Sequence, residues 1–265
     1  MRQLRVIKLS GKVTDDAKSL AILAADIARL ALSGVQVVVV HGGGKQLDAL
    51  AARLNIPVVA HEGRRVTDTA TLELAKMVFA GQINTNVTAA LLAAGLSPVG
   101  ISGVSGGLVR AERRSPVPID FGHVGNVTGV DTSLIEALLA DDRVPVVSCL
   151  GVTPSGEVLN INADTVAAAL AVALKADQAY LVSDVDGIYA KAGDAATRLP
   201  RLDLAAAKDL LASGDVTGGM RPKLKAVIDL VEAGLASVHV LSGGTPLLRA
   251  TIADGKHGTT ITRHL

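Results

Sequence analysis

The stretch VVVVHGGGKQLDAL, Val37 to Leu50, decides how this chain is read. Four β-branched residues run through a histidine into three glycines, and a helical pattern follows. A strand without polar alternation is buried on both faces, as in a parallel sheet covered by helices. The glycines have two readings. They either make a tight turn, since each tolerates positive φ, or they strip the backbone bare so that a ligand can approach. Spacing alone leaves both open.

Working outward, the same alternation continues in both directions. LRVIKL (Leu4–Leu9) reads as a strand, and Thr14 as the cap of a helix ending at Ser33-Gly34. Lys45 to Leu54 reads as helix, and Asp68 caps another through TATLELAKMVFAG that continues in NVTAALLAAG. VGIS, near Val99, is a short strand, and Gly103 to Val130 reads as β-ribbons and loops. Thr132 caps a helix ending near Ala140, and VPVVSCL (Val144–Leu150) is a buried strand. In the second half, TPSGE is a turn, a helix follows Asn162, and AYLVS and SVHVL are strands. Helices cover Leu204–Leu211 and Pro222–Ala233, and TTITR closes the chain. The alternation predicts an α/β fold, a three-layer αβα sandwich with a mostly parallel central sheet. In such a sheet ligands bind beyond the carboxyl ends of the strands.

Composition removes several classes of function. At 49% apolar and 19% charged, the 265 residues should fold. The only aromatics are Phe79, Phe121, Tyr180 and Tyr189, too few for a stacking surface on single strands. Lys and Arg total 26 against 25 Asp and Glu, so there is no basic footprint for nucleic acid. Cys149 stands alone and makes neither an internal disulfide nor a cysteine metal site. The run Ala21–Leu32 is broken by Asp26 and Arg29, and the start lacks the pattern of a signal peptide. These points predict a cytoplasmic protein without nucleic-acid or membrane partners.

Some motifs fail on inspection. GGGK lacks the first glycine of a P-loop, where Val39 stands, and Gln46 replaces its Ser or Thr. Asp120-Phe121-Gly122 has no accompanying HRD loop, and no G-x-G-x-x-G follows the first strand. His41 and His123 lack partners at metal spacing and read as turn or core histidines. Five stretches carry more. Lys8 interrupts an apolar strand, either at a wet edge or buried and aimed at an anion. Arg64 and Arg65 stand in a loop, solvated or gripping a carboxylate. LNINADT sets Asn160, Asn162 and Asp164 before a helix, where Asn162 or Asp164 is equally readable as a plain N-cap. VSDVDGIY ends a strand with Asp184, Asp186 and Gly187, and VTGGMRPKLK places Gly218, Gly219 and Lys223 at a helix start.

Taken in this order and spacing, IKLSG, HGGG, GRRVTD, FGHVG, PVVSCLGVTPSGEVLNINADT, LVSDVDGI and GGMRPK resemble the amino acid kinase family over nearly the whole chain. The resemblance implies a single domain of two lobes. Residues 1–150 would bind the acceptor, N-acetyl-L-glutamate, and make the dimer; residues 151–265 would bind ATP. It implies that Gly43 and Gly44 offer N–H groups to the γ-carboxylate, while Arg65 and Asn160 hold the α-carboxylate. Adenosine would lie against Asp184, Val185, Asp186, Gly187, Ile188 and Tyr189, and against Asp215, Val216 and Thr217. Ser10, Gly11 and Gly219 would lie near the phosphates. Lys8 and Lys223 would stabilise the transferred phosphoryl from opposite sides, with Asp164 orienting both. Mg²⁺ would arrive on the phosphates of ATP, with no protein metal ligand named. One departure is Ser10, where the family has glycine; its hydroxyl either bonds a phosphate or its Cβ narrows the approach.

Three competitors share parts of this pattern. A kinase of carrier-protein-linked aminoadipate or glutamate would share both lysines, and Arg110, Arg113 and Arg114 supply the positive approach it needs. An aspartokinase would need a regulatory module after the kinase domain. A non-catalytic nucleotide-dependent sensor would not need Lys8, Asp164 and Lys223 together. With the first strand at Leu4, no helix of two turns precedes it. The expectation is a homodimer, joined through an apolar helix such as Leu72–Phe79, with little response to arginine.

Overall fold

The valine run is buried because of its place in the sheet. In the computed structural model, which describes residues 2–61, 64–191, 194–216, 220–243 and 257–264, the strand Gln36–His41 lies between two parallel neighbours. Leu4–Leu9 pairs on one side and Val144–Ser148 on the other. Among the described residues the central sheet has eight strands. Their order is Arg201–Asp203, Thr259–Thr262, Ser237–Ser242, Gln178–Ser183, Leu4–Leu9, Gln36–His41, Val144–Ser148 and Pro98–Ser102. The last six run parallel, and Thr259–Thr262 is antiparallel to Ser237–Ser242. The mostly parallel sheet read from the sequence is therefore observed. Continuous Val and Leu runs fill both faces of its central strands.

The ribbon region Gly103–Val130 contributes to a second, four-stranded sheet with Val109–Arg113, Gly125–Val130, Leu150–Val152 and Val158–Asn160. Here the sequence reading needs correction. The apolar run Val144–Leu150 is not one strand: it leaves the main sheet at Ser148 and resumes at Leu150, which pairs with Asn160 in the second sheet. Cys149 sits buried at the crossover, where burial pushes its thiol up to about 12 and leaves it inert.

Two caps also differ from expectation. Thr14 is buried in a short helix, Gly11–Asp15, and Asp16 caps the long helix Ala17–Leu32 by accepting from Ser19 N at 2.7 Å. Before the helix Ser133–Ala140, Thr132 holds the N-cap position as read, but its hydroxyl turns to Glu136 and Asp131 receives the Ser133 N–H at 3.2 Å. In both cases a carboxylate close by is the stronger acceptor. Asp68 caps as read, accepting from Thr71 N at 2.8 Å.

From Thr69 to Ala93 the chain is helical throughout, but Lys76–Ile83 is π-helical between two α-helical parts. Phe79 and Ile83 of the wide turn pack on Gly43, and Asn84 just beyond donates to Val146 O at 2.8 Å. Asn84 Nδ2 also lies 3.0 Å from His41 Nε2, while His41 Nδ1 lies 3.1 Å from Gly42 O. A neutral ring protonated on Nδ1 satisfies both, and burial holds His41 down at about 4. Within Leu72–Phe79, the segment read as a dimer contact, Leu72, Leu74, Val78 and Phe79 are buried in this chain's own core; Met77 is exposed. Among the described residues, no helix is long and apolar enough to cross a membrane.

Candidate active site

The first strand, the glycine loop, the strand Gln178–Ser183 and the loop Asn160–Asp164 all meet at the carboxyl edge of the sheet. Lys8 is the penultimate residue of a central strand, in register between Val40 and Leu181, so it is buried and not at a wet edge. Its stem lies among apolar neighbours and its Nζ stands 2.8 Å from Asp164 Oδ1. That approach is off the hydrogen-bonding direction, so it is an ion pair, not a directed hydrogen bond. Asp164 is free for it because Asn162 takes the cap of the helix Ala163–Ala173, accepting from Asp164 N at 2.7 Å. The two readings of this cap are thereby separated.

A cavity of about 1650 Å³ opens at this edge. Its wall brings together Lys8, Ser10, Gly11, Gly43, Gly44, Arg65, Asn160 and Asp164. None of Gly42, Gly43 and Gly44 has a left-handed φ, so the turn argument does not explain them. Packing does. A Cβ on Gly43 would overlap Ile83 Cδ1 and stand 2.9 Å from Phe79 Cδ1; one on Gly42 would stand 3.3 Å from Ala163 Cβ. Gly43 is the cap and Gly44 the first residue of the helix Gly44–Arg53, where N–H groups have no intrahelical carbonyl. Such N–H groups favour an anion.

On the same side, Arg65 donates to Gly44 O at 3.1 Å and pairs with Asp48, while its Nε is buried without a partner. Asn160 donates to the buried Thr67 hydroxyl at 3.0 Å. The backbone stitches these loops together, with His123 N on Thr67 O at 2.6 Å and Asn160 N on His123 O at 2.9 Å. Arg64 and Arg114 also line the cavity, and burial and then Arg64 lower the pKa of Arg114.

Toward the C-terminal half the pattern changes. Lys223, on the helix Met220–Glu232, donates to Ser183 Oγ, which lies 3.0 Å from Asp184 Oδ1. Asp184 pairs with Lys12, whose hydrogen bond holds the carboxyl at about 2. Burial first, then Lys8, push Lys223 below the usual lysine value, while Asp164 and Asp184 oppose them. The direct contact of Asp164 is thus to Lys8, and Lys223 meets it only through space. Ser10 Oγ is buried without a partner, and a Cβ on Gly11 would stand 3.6 Å from Gly44 N.

The remaining candidates stand apart from the cavity wall. Asp186 is 4.0 Å from Arg198, Val185 and Tyr189 are half-buried, and Ile188 is buried with its N–H on Thr259 Oγ1 at 2.7 Å. Gly187 has φ 127 and packs directly on Thr259, so this position needs glycine. Asp215 is exposed and Val216 buried; Thr217 and Gly219 lie outside the described residues. No group of three His, Cys, Asp or Glu suited to a metal occurs among the described residues. Sequence reasoning missed Lys12, Ser183, Asp48, Thr67 and Gln46. Gln46 donates to Gly11 O at 2.7 Å and fixes the first loop. Its only signal was as the residue that spoiled a P-loop.

Comparison with known proteins agrees with this geometry. The model of the amino acid kinase family matches residues 3–242. The chain is 44% identical to an acetylglutamate kinase of Sorangium cellulosum, with 97% of this chain and 93% of the relative covered. It is 40% identical to one of Anaeromyxobacter dehalogenans, with 97% and 98% covered. The crystal structure of smu.665 from Streptococcus mutans superposes with a TM-score of 0.82 at 29% identity, covering 99% of this chain and 100% of that one. A carboxyl-edge site of lysines and glycine loops, on this sheet and with these relatives, is conclusive: the chain belongs to the amino acid kinase family.

Proposed function

We propose that this chain transfers the γ-phosphoryl group of ATP to the side-chain carboxylate of N-acetyl-L-glutamate, the acetylglutamate kinase reaction of arginine biosynthesis. Relatives at 44% and 40% identity over nearly the full chain bear that name. The observation that carries the site assignment is the cavity wall, where Lys8, held by Asp164, stands with the helix start at Gly44, while Lys223 lies close enough for Lys8 to lower its pKa. A glutamate side chain ionises near 4.3, so the acceptor is already a nucleophile at neutral pH. One of its oxygens bonds to the γ-phosphorus while the bond to the ADP oxygen breaks. No proton moves and no general base is required. The demand is on positive charge, because an anion meets a triphosphate.

The residues fit that demand. The unpartnered Arg65 Nε and the free N–H groups at Gly43 and Gly44 suit two carboxylates, with Asn160 beside them. Lys8 bridges acceptor and transferred group, Lys223 serves the leaving phosphate, and Asp164 sets Lys8. The unpartnered Ser10 hydroxyl and the bare Gly11 suit a phosphate chain. Mg²⁺ would arrive on ATP and offset phosphate charge there; Asp164 in the cavity wall and Asp184 beside Lys223 each face a lysine. Asp184 to Tyr189 with Asp215 to Thr217 form the proposed adenosine side.

A carrier-linked acceptor is the second reading. Arg110 is committed to Asp131 at 2.8 Å and Arg113 to Gly122 O at 2.9 Å, which leaves Arg114 as the one of the three lining the cavity. We also propose a homodimer, with the exposed Met77 and Leu92 as its apolar contacts, to be tested by light scattering. Activity is tested by trapping acyl phosphate with hydroxylamine. Hydroxamate should form with N-acetyl-L-glutamate and not with glutamate, aspartate or a carrier-linked substrate. Hydroxamate only with the carrier-linked substrate would establish the second reading, and none with any acceptor would leave a non-catalytic binder.

A further inference from the structure

Lys223 heads a chain in which Ser183 and Lys12 have no role in the reaction as written. Lys223 Nζ donates to Ser183 Oγ, the Ser183 hydroxyl is 3.0 Å from Asp184 Oδ1, and the other Asp184 oxygen pairs with Lys12. The order is cation, hydroxyl, anion, cation. Each link has a reason. A hydroxyl has one proton and two lone pairs, so Ser183 accepts from the ammonium and donates to the carboxylate simultaneously. Asp184 would otherwise be a strong local partner for Lys223, and a lysine locked to a carboxylate is a poor ligand for phosphate. Lys12 already occupies that carboxylate.

Lys12 follows Ser10 and Gly11, which line the cavity, and belongs to the first helical turn after the Lys8 strand. The strand Leu4–Leu9 pairs directly with Gln178–Ser183, so the loops beyond Leu9 and Ser183 are neighbours by register, and Ser10 N bonds Val182 O at 3.0 Å. The two lysine systems are therefore joined through adjacent strand ends.

We propose that Ser183 and Lys12 are positioning residues for Lys223: Ser183 fixes the ammonium at one N–H, and Lys12 neutralises Asp184 so that the other two N–H bonds stay available to phosphate. This rests on the proposed role of Lys223 at the leaving phosphate and adds two residues to it. The charged groups that act on Lys223 are Lys8, Asp164, Asp184 and Lys12, and Lys12 acts to lower its pKa.

The test compares kcat, both KM values and the pH profile of kcat for Ser183→Ala, Ser183→Thr, Lys12→Met and Lys223→Ala. Ser183→Ala should lower kcat about 10–100-fold, the range for losing a hydrogen bond to a charged group, with acceptor KM unchanged. Ser183→Thr, which keeps the hydroxyl, should restore most of it. Lys12→Met should lower kcat and move the alkaline limb upward, because Lys223 loses a like-charged neighbour and gains a free carboxylate. Lys12 is half exposed, so this variant decides the matter if Ser183→Ala fails to fold. Wild-type kcat and an unmoved alkaline limb in Lys12→Met, with Lys223→Ala inactive, would overturn the positioning role alone. Wild-type kcat in Lys223→Ala would overturn the mechanism beneath it as well.

Discussion

The two halves of the candidate site are built by different physics. On the acceptor side, shape is set by close packing and backbone hydrogen bonds: Gly43 against Ile83, Asn160 on Thr67, His123 on Thr67 O. On the donor side, position is set by a line of alternating charges from Lys223 to Lys12. A packed wall recognises one acceptor and resists substitution by overlap. A charge line tolerates movement, and its energetics are set by burial and by salt. Lys8 with Asp164 stands between the two and belongs to both.

The sharpest break between the sides should appear in the lysines. Lys8→Ala and Lys223→Ala should each lower kcat by about 10²–10³, the usual worth of one transition-state charge contact, while acceptor affinity changes little. Steady-state kinetics check this, and folded variants with near-normal kcat would remove both from the mechanism. Next in size is Arg65→Lys. A point ammonium cannot reproduce a planar fork, so the acceptor KM should rise about 10–100-fold. Arg64→Lys should do much less, because Arg64 is exposed while Arg65 is anchored on Gly44. Equal defects would place recognition at the wrong arginine.

Gly43→Ala tests the packed wall itself. The added methyl meets Ile83 and Phe79, and overpacking of this kind costs about 1–3 kcal/mol. Thermal unfolding should show the loss, together with a raised acceptor KM. An unchanged melting temperature would mean that the glycine is not required by packing.

A last effect, read in stability and not in catalysis, is shared by both halves. Burial holds His41 at about 4, and burial followed by Arg5 holds His239 there too. Their folded values lie below the unfolded value near 6.5, so the unfolded chain takes up protons first as pH falls. Stability from each is fully present above about 6.5 and is lost as pH falls toward about 4, by at most about 1.4 kcal/mol per pH unit. Urea unfolding at pH 7.5, 6 and 5 should show the decline, and His41→Asn or His239→Asn should each flatten it. A flat response in the parent protein would contradict the burial argument.

How much of this was legible in the sequence depends on range. The parallel sheet was readable because Val37–Val40, Val144–Val147 and Ala179–Val182 leave no polar face. Asp68 was readable as a cap because capping is local. Thr14 was misread as a cap, and Thr132, though at the cap position, was misread as the acceptor, because a better acceptor stood one or two residues away. The break at Cys149 was hidden, since an apolar run carries no mark of which sheet its two ends join. At the site, Lys8 was visible as a charge on an apolar strand. Lys12 and Ser183 were not, because their meaning lies in contacts 172 and 40 residues away along the chain. The glycine loop was read as backbone bared for a ligand or as a turn; its packing on the π-helical segment could not be seen before the fold.

The central claim is that the acceptor's own carboxylate is the nucleophile. The direct measurement uses N-acetyl-L-glutamate labelled with ¹⁸O in its side-chain carboxylate, with hydroxylamine cleaving the acyl phosphate at carbon. The claim predicts one ¹⁸O in each phosphate released in step with hydroxamate. Phosphate without label, formed at the same rate from ATP, would mean that water is the acceptor and would contradict it.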